Sequence, residues 1–279
     1  MTTTSPVVRR RRLGLELRAL REAAGLKGDE AARQLTWSNS KLSRIELGRS
    51  PVTAGDLARL IELYGVADKE RQDELNRLNR EAKRKGWWQL YSDIPYSTYI
   101  GLEAEATTLL TYQHVIPGLL QTEDYARAIN QATMNGLTDD ALETRLEVRM
   151  QRQAVLAKPE PLELRAVLDE AALRREVGGK EVMKAQLEHL LKLGDQDNII
   201  IQVIPFSAGA HHGTLVGAFN ILKYVHPADP DVVYLESSSD PYPDREGDIE
   251  RYGLIFDNLR AAALSVPQTQ ALMKKLVRE

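Results

Sequence analysis

The sequence predicts a mainly α-helical chain, with an N-terminal head of five short helices followed by an α+β body whose small mixed sheet is flanked by helices. Three observations predict this. From Leu13 to Leu78 the apolar residues keep a helical spacing, as one buried stripe per helix requires. Beyond Gly86 the composition changes, and compact β-branched runs such as Ile199–Ile204 alternate with amphipathic stretches, which reads as strands among helices. The net charge of −3 is also split: residues 1–85 carry 19 Lys+Arg against 12 Asp+Glu, a net of +7, and residues 86–279 carry 18 against 28, a net of −10. A basic head on an acidic body points to a polyanion partner for the head alone. A length of 279 residues fits two domains at about 150 residues each, here 1–85 and 86–279.

The elements follow in order. Residues 1–8 are polar and expected to be disordered, and Arg9–Arg12 form a basic arm. Leu13, Leu17 and Leu20 share one helix face, which Gly25 stops. Short helices are expected over 28–35 and 39–47, the second capped by Ser38 and ended by Gly48. Thr53 caps a helix to Tyr64, and Asp68 caps a fifth that reaches Lys85. Gly86 to Tyr99 is rich in aromatics and marks the domain junction. Helices resume over 101–112, 122–131 and 139–156. Strands are expected over 162–168, 199–204, 214–225 and 232–236, with helices over 170–175, 181–193, 248–263 and 269–277.

Several function classes are excluded. The chain has no cysteine, so disulfides, thiolate zinc, iron–sulfur clusters and cysteine nucleophiles are ruled out, in keeping with a reducing compartment. No apolar run approaches the roughly 18–20 residues of a membrane span, so a cytoplasmic location is expected. There is no phosphate-cradling glycine loop, serine elbow or dinucleotide fingerprint, so neither enzyme activity nor a cofactor is expected.

One constellation in the head carries chemistry. Gly28-Asp29-Glu30-Ala31-Ala32-Arg33-Gln34-Leu35 is followed by Thr36-Trp37-Ser38-Asn39 and then Ser40-Lys41-Leu42-Ser43-Arg44-Ile45-Glu46-Leu47-Gly48-Arg49. The small Ala31 and Ala32 allow a second helix to cross closely. Leu42 and Ile45 then face the core with Leu35, and the opposite face presents Asn39, Ser40, Ser43 and Arg44 for base edges in a major groove. Lys41, Arg49, Arg11 and Arg12 are phosphate contacts, which position without specifying sequence. Over residues 13–64 this resembles the phage-repressor-like (xenobiotic-response-element) family of helix-turn-helix domains. The resemblance implies a structural ion pair between Arg21 and Glu46, and binding to palindromic double-stranded DNA as a homodimer. The family turn usually has glycine where this chain has Thr36; a left-handed backbone there would cost a β-branched residue on the order of 1 kcal/mol.

The body has strings of its own. Pro117-Gly118-Leu119-Leu120-Gln121-Thr122-Glu123-Asp124-Tyr125-Ala126-Arg127-Ala128, Arg149-Met150-Gln151-Arg152-Gln153, Leu168-Asp169-Glu170-Ala171-Ala172-Leu173-Arg174-Arg175, Gln202-Val203-Ile204-Pro205-Phe206 and Val233-Tyr234-Leu235-Glu236 resemble a domain of unknown function that follows helix-turn-helix heads in many actinobacterial regulators. The resemblance implies a small partner protein encoded nearby. Trp87, Trp88, Tyr91, Tyr96 and Tyr99 line the junction either as interdomain glue or as a ligand clamp. Amides at the helix start behind Thr122 are read as an ordinary capped terminus rather than an anion site. His211, His212, His226, Asp229, Asp231 and Glu236 lack metal-ligand spacing, so no metal is expected. Asp169 and Glu170 are read as partners of Arg174 or Arg175. The expected function is a dimeric, DNA-binding transcriptional regulator whose body senses a small ligand or a partner protein. Two rivals stand beside it: an antitoxin-like autorepressor, and an enzyme delivered to DNA by its head.

Overall fold

The computed structural model describes residues 5–91, 96–134, 136–236, 242 and 247–279. They form two compact units. Over the described residues, the first holds 5–91 with Tyr96–Glu105 and Val225–Pro230, and the second holds Ala106–Tyr224 and Asp231–Glu279.

The first unit is helical: α1 (Pro6–Ala23), α2 (Gly28–Gln34), α3 (Asn39–Glu46), α4 (Ala54–Leu63), α5 (Lys69–Glu81) and α6 (Ser97–Glu105). The expected caps form. Ser38 Oγ accepts from the Lys41 amide at 3.2 Å, Thr53 Oγ1 from Asp56 at 3.0 Å, and Asp68 Oδ1 from Glu70 at 3.1 Å, each satisfying an amide that the helix cannot. Leu13 and Leu17 of α1, Ala31 and Ala32 of α2, Leu42 and Ile45 of α3, Leu57 and Leu60 of α4, and Leu75 and Leu78 of α5 close one apolar core.

Two expectations are corrected at the N-terminus. Residues 6–8 are helical, not disordered, and Arg9–Arg12 are turns of α1 rather than an arm. The cause is tertiary. Pro6 sits in the first helical turn, where its missing N–H costs nothing. Val7 and Val8 are buried, and Val7 lies against Gly101 of α6, where an added Cβ would stand 2.4 Å from its methyl. The Ser5 amide donates to Glu105 Oε2 at 2.7 Å, and Ser5 Oγ to the Gly101 carbonyl at 2.5 Å. The first unit therefore reaches past residue 85. Trp88 packs within it too, its ring against Gly86 and Gly101.

The second unit is built on a five-stranded sheet: β1 (Thr108–Gln113), β2 (Glu163–Asp169), β3 (Ile199–Ile204), β4 (Phe219–Lys223) and β5 (Val232–Leu235), in the order β3-β2-β1-β4-β5. β1 to β3 are parallel; β4 and β5 run antiparallel. Its helices are α7 (Glu123–Thr133), α8 (Asp139–Arg152), α9 (Ala171–Arg174), α10 (Lys180–Leu193), α11 (Gly213–Val216), α12 (Asp248–Ala262) and α13 (Val266–Leu276). Tyr252, Phe256 and Leu259 of α12 pack on Leu110, Tyr112, Val167, Phe219 and Val233 of the sheet. The mixed sheet with flanking helices is the expected architecture. The expected helix over 101–112, however, ends at Glu105, and Thr108–Gln113 is the central strand. The expected strand over 214–225 begins as α11 and becomes β4 only after Gly217, whose φ of 74° breaks the run. Among the described residues, no helix is long and apolar enough to cross a membrane.

Candidate nucleic-acid interface

The segment α2–turn–α3 is set by two helix ends of the same design. After α3, the Gly48 amide donates to Ile45 O at 2.9 Å and the Arg49 amide to Arg44 O at 2.8 Å. After α2, the Thr36 amide donates to Arg33 O at 3.1 Å and the Trp37 amide to Ala32 O at 2.8 Å. Both are Schellman ends, which need one left-handed residue. Gly48 supplies it at φ 64°, and Thr36 supplies it at φ 57°. Thr36 is the one non-glycine residue with positive φ among the described residues. The Arg59 guanidinium donates to Leu35 O beside the turn. Nothing local in the sequence marks Arg59 for this, because the pairing joins α4 to α2.

The seat of α3 is unusually close to α1. A Cβ on Gly14 would lie 2.4 Å from the Glu46 carbonyl oxygen and 2.6 Å from that of Ile45, so the two backbones touch there. The Arg10 Nε donates to the Gly48 carbonyl at 2.7 Å. Arg21 grips Glu46 bidentately, Nε to Oε1 at 2.7 Å and Nη2 to Oε2 at 3.0 Å, and gives its Nη1 to Leu26 O at 2.8 Å. The two side chains are 10% and 9% exposed. The hydrogen bond to Glu46 raises the Arg21 pKa above its ordinary value. Near the pair, burial and the Glu46 charge hold the Tyr64 phenol neutral.

With Leu42, Ile45 and Glu46 turned inward, α3 exposes Asn39, Ser40, Ser43 and Arg44. The Arg44 guanidinium has no protein partner among the described residues. Lys41 Nζ stands 3.0 Å from Asp56 Oδ2 and 3.9 Å from the centre of the Trp37 ring. Arg49 is exposed. The arginines of α1 are placed differently. Arg9 is held by Glu105, Asp229 and Glu81. Arg11 is half-buried. Arg12, its side chain 12% exposed, lies 3.7 Å from Glu74 and 3.3 Å from His226 Nε2.

The other sequence candidates are dispersed. Trp87 meets Trp88 edge-on at 5.9 Å and Tyr91 at 6.3 Å, while Tyr99 is buried on α6 and Tyr96 half-buried before it. His226 and Asp229 belong to the first unit, as partners of Arg12 and Arg9. Asp231 accepts from the Tyr224 amide at 3.3 Å, and Glu236 from Gln113 at 3.1 Å. His212 is exposed. Among the described residues, no three His, Asp or Glu side chains gather as a metal would require. Glu170 takes Arg174 Nε at 2.6 Å and the Phe206 amide at 2.7 Å, the structural pairing expected of it. Thr122 caps α7 by accepting from Tyr125 at 3.3 Å, and its own amide donates to Gln186.

Residues 12–75 match the family model of a helix-turn-helix domain, a DNA-binding element, and residues 96–275 match that of a domain of unknown function, DUF5753. No curated protein and no solved structure matches the chain. The second match spans more than half of the sequence, and the chain accordingly belongs to the DUF5753 family, with a helix-turn-helix domain ahead of that domain.

Proposed function

We propose that the chain is a sequence-specific transcriptional regulator of the phage-repressor-like type, acting as a homodimer on a palindromic operator, with no catalytic activity. One observation carries this. In the matched helix-turn-helix domain, the solvent face of α3 presents a guanidinium, that of Arg44, with no protein partner among the described residues, beside the exposed Asn39, Ser40 and Ser43. α3 enters the major groove, Arg44 bonds guanine, and Asn39 suits adenine. Lys41 and Arg49 contact phosphates. Lys41 leaves Asp56 to do so, at a cost on the order of 1 kcal/mol for a half-buried ion pair. Arg12, already engaged on α1, is not among these contacts, and Arg11 is half-buried. A single head buries too little surface for tight specific binding, so two heads read half-sites about one helical turn apart. The DUF5753 part receives the signal, a small ligand or a small partner protein.

Selection of bound sequences from random duplexes gives the operator. On it, Arg44→Ala lowers affinity about 5- to 150-fold and relaxes one base position, while Lys41→Ala weakens all sequences and lowers the salt slope by about one. An equal loss on all sequences for Arg44→Ala removes α3 from base reading.

A further inference from the structure

The sheet of the second unit reverses its order at β1: the chain builds outward through β2 and β3, then crosses to β4 on the other side. In open sheets with parallel strands, ligands bind outside the carboxyl ends of the strands; here the parallel β1 and β2 end on that side, and antiparallel β4 begins there. Three polar side chains meet at that end here. Tyr112, next to last in β1, is fully buried, and its hydroxyl has no hydrogen-bond partner among the described residues. Burial and the Asp169 charge keep that phenol neutral, so it remains a donor. Asp169, at the end of β2, spends Oδ1 on the Ala171 amide at 2.8 Å, and its Oδ2 stands 3.7 Å from His211 Nε2. That gap is too wide for a hydrogen bond. His211 Nδ1 accepts from the Gly213 amide at 3.2 Å, which puts the imidazole proton on Nε2, facing the gap.

The covering strap has matching features. Gly213 lies so near the Tyr112 ring that a Cβ would stand 2.2 Å from it. Gly209 and Gly217, with φ of 67° and 74°, flank the strap, which holds Leu215 out at 94% exposure, and Phe206, just ahead of Gly209, is 60% exposed.

We infer that this end of the sheet binds a small uncharged molecule carrying a hydroxyl or primary amide on an apolar body. Its polar head completes Tyr112 Oη, His211 Nε2 and Asp169 Oδ2, because such a group both donates and accepts. The strap lifts about its glycines to admit the body and, on settling back, lays Leu215 over it with Phe206 beside it. This deepens the proposed function by placing the signal of the DUF5753 part at a small-molecule site.

The test uses the full chain labelled with ¹⁵N-histidine, titrated with benzyl alcohol; the His211 signals are assigned by their loss in His211→Gln. The expected result is a saturable shift at His211 with Kd on the order of 1 mM. Tyr112→Phe weakens it at least tenfold without lowering the melting temperature, since an orphaned hydroxyl is removed. Leu215→Ala, fully on the surface, also weakens it. Failure to saturate, or equal binding by Tyr112→Phe, overturns the site. Benzylamine binding ten times more tightly than the alcohol overturns the uncharged class. Duplex-DNA affinity of the same sample is read in parallel: its loss with the His211 response intact overturns the regulator and leaves the site, and the converse overturns the site alone.

Discussion

Replacing Arg21 by Met tests how α3 is held. The wild-type pair is bidentate, with both side chains about nine-tenths buried, and Met keeps most of the apolar stem while removing the charge. Glu46 is then left as a buried carboxylate without its cation, and Leu26 O loses its donor. Breaking a buried pair from one side costs about 3–5 kcal/mol, whereas replacing both members by apolar residues of similar volume is close to neutral. The double variant Arg21→Met/Glu46→Leu is therefore expected within about 1 kcal/mol of wild type, and each single variant several kcal/mol below it. Urea unfolding read by tryptophan fluorescence isolates the first unit, because the three tryptophans, Trp37, Trp87 and Trp88, all lie in it. With a slope of about 1.5 kcal/mol/M for a unit of this size, the single variants should lower the midpoint on the order of 2 M or more. A single variant that costs under about 1 kcal/mol would refute the reasoning, since the pair would then behave as one screened by water.

Three further outcomes follow from the same geometry. Thr36→Gly relieves a left-handed β-branched residue, a gain of about 1–2 kcal/mol, partly offset by about 0.5–1 kcal/mol for the freer unfolded chain; the fluorescence melting temperature should rise, and a fall shows the turn gains nothing from glycine. Gly14→Ala drives a methyl into the carbonyls of Ile45 and Glu46, which are backbone atoms and cannot swing aside, so a loss of about 1–3 kcal/mol should accompany weaker binding to DNA; wild-type stability would mean α1 and α3 stand further apart. His189→Gln tests a pH effect: burial, and then Lys192, holds the His189 imidazole below its ordinary pKa, and its Nε2 is buried without a partner among the described residues. The unfolded chain then takes the proton first as pH falls below about 6.5, so stability present above that pH is lost on acidification, and the variant should lose less between pH 7.5 and 5.5 in circular-dichroism melts.

The α2–turn–α3 segment was legible because its signals are local: a Ser38 cap, two alanines at a crossing, and an inward Leu42–Ile45 pair. Thr108–Gln113 was misread as helix for a physical reason. As the central strand it is buried on nearly all its residues, polar Thr111 and Gln113 included, so its sequence lacks the apolar–polar alternation that marks a half-buried strand. The break at Gly217 inside 214–225 was visible in the sequence, whereas the helical turn before it was not. The run Arg9–Arg12 in α1 misled because charge pairing is not local. Arg9 finds Glu105 at a separation of 96 residues and Asp229 at 220, and no window of sequence holds both ends.

That last pairing also has a temporal side. During synthesis at about 5–20 residues per second, Asp229 is made roughly 6–25 s after Glu105, an interval far longer than the microseconds to milliseconds in which a small helical core folds. On the ribosome, the head of this chain therefore completes its helix-turn-helix core early but must wait for Val225–Pro230 before Arg9 and Arg12 gain Asp229 and His226. A nascent chain would thus carry Arg9 less neutralised than the finished protein does, and Arg12 without its histidine contact, so a head released prematurely would differ from the mature one at the outset of α1.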